Sequence, residues 1–240
     1  MELILLILSL LLNIGCVIII IKSERYGHYI ENVFVRLGFV EMEESHRPDY
    51  WMLQGWTNSI AKQHTQYDVA FIGNSLIYNG DFQFYFPHIK IVNLGVSGNT
   101  LMDMQRRIPT LVAANPPKVF VMAGANDLLV SSLDEYTENY KSFLTQIKKS
   151  LPHTEIFVQS MLPMNSMAGY KQIPASTILE ANKLVKELSV KEKCQFIDLY
   201  SVFASDDELP TQYSYDGLHL RNSAYSLWAE TIKDIILLDI

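Results

Sequence analysis

The chain has 240 residues, 49% hydrophobic and 19% charged, with a formal net charge of −7. That balance argues against disorder, which needs a more polar chain, and against nucleic-acid binding, which needs a basic face to neutralise phosphates. The two cysteines and six scattered histidines show no CxxC, HExxH or other metal-ligand spacing, so no metal site is expected.

The chain opens on Leu3 to Ile21, a run without a charged residue, interrupted strongly only by Ser9 and Asn13. As a helix rising ~1.5 Å per residue it would span ~28 Å, about a hydrocarbon core. Glu2 stands where a signal peptide would carry basic residues, and no small-x-small cleavage site follows. Cys16 does not read as a lipidation site, because the apolar run continues from Val17 to Ile21. The expectation is an uncleaved, single-pass transmembrane anchor over residues 1–22, touching the membrane through 3–21. Lys22, Arg25 and Arg36 follow it and no basic residue precedes it, which by the positive-inside rule favours the cytoplasm for the rest of the chain, while the short N-terminal tail leaves either side of the membrane open.

Residues 23–66 read as a helical lead-in. Tyr50, Trp51, Leu53, Trp56 and Ile60 recur at helical spacing and predict a helix that packs on the following domain.

From residue 67 to 240 short apolar runs alternate with longer amphipathic ones. Strands are predicted at 69–72, 89–92, 119–122, 156–158 and 195–197. Helices are predicted near 101–114, 134–150, 175–193 and 221–238. Pro116 and Pro117 end the first helix and admit the third strand. Such alternation predicts an α/β domain with a parallel sheet covered on both faces.

Ligands of an open parallel sheet bind at the carboxyl ends of its strands. The first strand is followed by Gly73-Asn74-Ser75-Leu76 and the second by Gly95-Val96-Ser97-Gly98-Asn99-Thr100. The third leads to Gly124-Ala125-Asn126-Asp127, and Asp216-Gly217-Leu218-His219 precedes the last helix. These four segments converge on one edge and carry the parts of an acyl-transfer site. A serine hydroxyl needs a base to take its proton, and His219 can serve Ser75 in that way. Asp216 can hold the other imidazole nitrogen and stabilise the imidazolium. The oxyanion needs fixed donors: the backbone N–H groups of Ser75 and Gly98 and the Asn126 carboxamide can supply them.

These four segments resemble the blocks of the SGNH hydrolases, the GDSL-type esterases, over about residues 67–238. Ser75 matches the nucleophile of the first block, Gly98 and Asn126 the oxyanion donors, and Asp216 and His219 the acid and base. Asn74 departs from the family pattern, which has an aspartate before the serine. The resemblance implies a flavodoxin-like three-layer α/β/α sandwich with five parallel strands and neither metal nor organic cofactor. It also implies hydrolysis of an O-acyl ester, with a short acyl group on a carbohydrate as the preferred substrate. Lysophospholipase, thioesterase and acyltransferase chemistry fit the same residues. From another class, so does an idle membrane-tethered binding module, for which Asn74 is the only support. The G-x-S-x-G elbow of the α/β-hydrolases does not fit, because Ile77 occupies its last glycine.

Overall fold

The computed structural model describes residues 50–63 and 66–238. The anchor expected over 1–22 and the first part of the lead-in lie outside the described residues. Among the described residues no helix is long and apolar enough to cross a membrane. The described residues from Gly55 onward form one compact unit.

Helix α1 (Tyr50–Gln63) is the predicted helix of the lead-in. Its Ile60 is buried and its Trp56 packs against the core. Five parallel strands follow: β1 (Val69–Gly73), β2 (Ile91–Gly95), β3 (Lys118–Met122), β4 (Glu155–Gln159) and β5 (Gln195–Ile197). Their order is β2-β1-β3-β4-β5, which is the flavodoxin-like order. The strands occupy the predicted places except β2. It starts later than the apolar run suggested and ends on Gly95, because its register with β1 pairs Ile91 with Val69 and Gly95 with Gly73.

Between the strands lie α2 (Ser75–Tyr78), α3 (Phe82–Tyr85), α4 (Leu101–Gln105), α5 (Ile108–Ala114), α6 (Leu133–Ser150) and α7 (Ala175–Lys191), and α8 (Tyr200–Phe203) and α9 (Asn222–Leu237) follow β5. The helix predicted near 101–114 is broken at Arg106 and Arg107. Pro109 explains the break. It has no N–H to continue the ladder, and its ring would strike the carbonyl four residues back, so it sits in the first turn of a new helix.

Alternation along the strands sends neighbours to opposite faces. Ala70, Ile72, Val119, Val121, Ile156 and Val158 face α4 to α7 in an aliphatic core. Phe71, Phe120 and Phe157 face α2, α3 and α9. These three rings stand in register across β1, β3 and β4 and stack at 4.9 and 4.8 Å between centroids. With both faces covered, the polar ends of the strands are left to carry chemistry.

Candidate active site

Ser75 is the first residue of α2, where β1 gives way to a helix at its carboxyl end. Asn74 caps that helix: it is buried, and its Oδ1 accepts from Leu76 N at 3.0 Å. An aspartate here would make the same bond, so the amide keeps the turn without adding a charge beside the serine.

His219 and Asp216 lie on the turn that enters α9. The three-residue spacing lets one carboxylate bind the histidine twice. Asp216 Oδ1 accepts from the N–H groups of His219 at 2.7 Å and Leu218 at 3.0 Å, and Oδ2 meets His219 Nδ1 at 2.7 Å. Burial alone would raise the Asp216 carboxyl; the bonds from the His219 ring and these N–H groups outweigh it and hold the pKa below the usual carboxylate range. With Asp216 ionised, Nδ1 carries the ring proton and Nε2 is the acceptor. Nε2 stands 2.9 Å from Ser75 Oγ, so the serine hydroxyl donates to it. The three side chains expected as nucleophile, base and acid form one hydrogen-bonded chain between residues 144 apart in sequence.

The turn is held from within. Ser214 is fully buried; its hydroxyl donates to His219 O at 2.7 Å and accepts from Gly217 N at 2.9 Å. Gly217 has φ +81°, and a Cβ there would stand 2.3 Å from Asn165 Oδ1. Asn165 N in turn donates to Gly217 O at 3.1 Å, tying the turn to the loop after β4.

The loops after β2 and β3 hold each other. Asn126 Nδ2 donates to Asn99 O at 2.9 Å, which uses one of its two N–H groups and leaves the other available. Asp127 is buried, and its Oδ1 accepts from Leu101 N at 2.9 Å. Burial pushes the Asp127 carboxyl up to about 6, against the lowering effect of that N–H. Gly98 directly precedes these anchors with φ +78°, and nothing stands within 4 Å of where its Cβ would be. Its requirement for glycine is thus conformational. Among the described residues, neither Ser75 N nor Gly98 N donates to another protein group.

Sequence reasoning missed three residues here. Asp127 has no role in the sequence reading, because its partner Leu101 is distant in the chain. Ser214 left no signal, since its partners are backbone groups of its own turn. Tyr215, half exposed beside His219, also escaped notice. A cavity of about 10 Å³ lies beneath the site, between Asn74, Leu76, Ala125, Met161 and Leu218. It has room for about one water. Among the described residues no cluster of His, Cys, Asp or Glu could hold a metal ion.

Known proteins resemble this chain. An N-acylneuraminate cytidylyltransferase of Escherichia coli O18:K1:H7 is 25% identical over 83% of this chain and 48% of its own length. The chain thus spans about half the length of that relative. An acetylxylan esterase of Geobacillus stearothermophilus is 26% identical over 58% of this chain and 69% of its own. A solved protein from Streptococcus pneumoniae superposes with a TM-score of 0.74 at 20% identity, covering 90% of this chain and all of the other, which establishes the shared fold. The profile of the GDSL-like lipase/acylhydrolase family matches residues 71–227, about two thirds of the chain and the whole span from β1 into α9. The chain therefore belongs to the GDSL-like lipase/acylhydrolase family.

Proposed function

We propose that this protein is a serine esterase that removes a short O-acyl group from a carbohydrate, with Ser75 as nucleophile, His219 as base and Asp216 as the acid that orients it. The observation that carries the reading is the unbroken chain from Ser75 Oγ through the imidazole to Asp216 Oδ2. Ser75 Oγ bonds to the acyl carbon while its proton passes to His219 Nε2. The carbonyl electrons move onto oxygen, and the N–H groups of Ser75 and Gly98 and the free N–H of Asn126 receive that charge. When the carbonyl re-forms, the bond to the sugar oxygen breaks and His219 returns its proton to that oxygen. Water then gives a proton to His219 and bonds to the acyl carbon, and Ser75 leaves with the proton as the carboxylic acid departs.

Two relatives support the carbohydrate. The name of one contains an acetylated glycan and that of the other an acylated sugar acid. The acetyl group in the name of the Geobacillus stearothermophilus relative supports a short acyl group. The uncharged run 3–21 supports tethering to a membrane. The test is hydrolysis by the whole 240-residue chain of 4-nitrophenyl esters of rising chain length and of acetylated xylosides, with Ser75→Ala as control. The reading requires acetyl to be preferred, sugar acetates to be cleaved and the control to be inactive. Preference for long chains, or an active control, overturns it.

A further inference from the structure

We propose that Tyr215 forms a sugar-binding subsite beside His219, where the ring of an O-acetylated pyranose stacks as the leaving group; the proposal rests on the esterase reading above. Tyr215 is 52% exposed, although both of its neighbours are tied into the turn. Ser214 is buried with its hydroxyl engaged, Asp216 binds His219, and a bridge between Ser214 and Leu220 closes the turn. The backbone under the ring is therefore fixed while the ring itself is largely uncovered. Among the described residues its hydroxyl makes no hydrogen bond to a protein group. An aromatic side chain placed this way contributes little to the core.

Its position relative to the chemistry suggests its use. The Tyr215 ring lies nearly parallel to the imidazole of His219, 16° between planes and 6.3 Å between centroids. His219 Nε2 must hand its proton to the leaving oxygen, so that oxygen comes within about 3 Å of it. The alcohol attached to that oxygen is then held beside the imidazole. The ring that flanks the imidazole is Tyr215. A pyranose presents a face of C–H groups, which suits the negative face of an aromatic ring, and tyrosine offers that area with few rotamers to fix. A methyl or ethyl leaving group is too short to cover the ring. Tyr215 is thus a residue of leaving-group specificity, outside the proton transfers themselves.

The experiment compares two acetates that share the acyl group and differ in the alcohol. The substrates are methyl mono-O-acetyl-β-xylopyranoside and ethyl acetate, and the proteins are the full chain, Tyr215→Ala and Tyr215→Phe. Dissociation constants for the xyloside are measured in parallel by calorimetry in the Ser75→Ala background, where the ester stays intact. Tyr215→Ala should raise KM and Kd for the xyloside about ten-fold, the range of one aromatic contact, and leave kcat and all ethyl acetate kinetics unchanged. Tyr215→Phe should stay within about two-fold of the parent. Equal losses on both esters would make Tyr215 a prop for His219 and overturn the proposal. An unchanged xyloside Kd in Tyr215→Ala would overturn it too. Failure of the esterase reading is distinguishable: neither ester would then be turned over above the Ser75→Ala background, while the calorimetric comparison would still report on Tyr215.

Discussion

At the amino end of β3, Lys118 is buried, and its ammonium donates to the carbonyls of Ile235, Ile236 and Leu238 where α9 ends. Its donors match the unpaired carbonyls that every helix end presents. At the carboxyl end of the sheet, Ser75 after β1 and Gly98 after β2 keep unspent N–H groups, and Asn126 after β3 keeps one of two. The amino end also has the larger cavity, about 380 Å³ between Lys148, His153, Lys193 and Cys194. Burial pushes the Cys194 thiol up to about 11, so it stays protonated and a poor nucleophile at neutral pH. One end of the sheet closes its hydrogen bonds and the other leaves donors aimed outward. Those donors, rather than the volume, mark where chemistry can occur.

Substitutions at the two ends should therefore separate activity from stability. His219→Ala should lower kcat the most, by ~10⁶, because members of such a chain act as a unit, with little change in the midpoint of urea unfolding. Asn126→Ala should lower kcat by ~10²–10³, the usual cost of one oxyanion donor, read with a sugar acetate under saturating conditions.

Asp127 tests the support between the two loops. Its folded pKa of about 6 lies above its ordinary 3.8, so between those values the folded protein holds a proton that the unfolded chain has released. Its contribution is full below pH ~4 and is lost as pH rises to ~6, by at most about 3 kcal/mol. Asp127→Asn keeps an acceptor for Leu101 N and removes the charge. Its stability relative to wild type should climb between pH 4 and 7 in urea titrations; a difference that stays flat contradicts a raised Asp127.

Lys118→Met keeps the apolar stem and removes the donor. It should cost about 2 kcal/mol by leaving carbonyls at the end of α9 without a partner, with kcat per folded molecule unchanged. A drop in kcat would mean that the two ends are coupled.

The places of the strands were legible because short apolar runs alternate with amphipathic ones, and the four strand-end motifs were legible because each follows such a run. The break at Arg106 was missed: the pattern continues across it, and only Pro109 betrays it. The later start of β2 depends on register with β1, which no local pattern carries. Asp127 could not be assigned from its neighbours, since its partner Leu101 lies 26 residues away. Tyr215 was hidden for the opposite reason. Exposure of an aromatic ring is a property of the folded surface, and its sequence context is only a tyrosine before Asp216.

The central claim is that His219 activates Ser75. Labelling of the intact chain with a fluorophosphonate, followed by mass spectrometry of the modified peptide, tests it most directly. One adduct, on Ser75, is expected in the wild-type protein, with its near-complete loss in His219→Ala. An adduct on another residue, or labelling of His219→Ala at the wild-type rate, would contradict it.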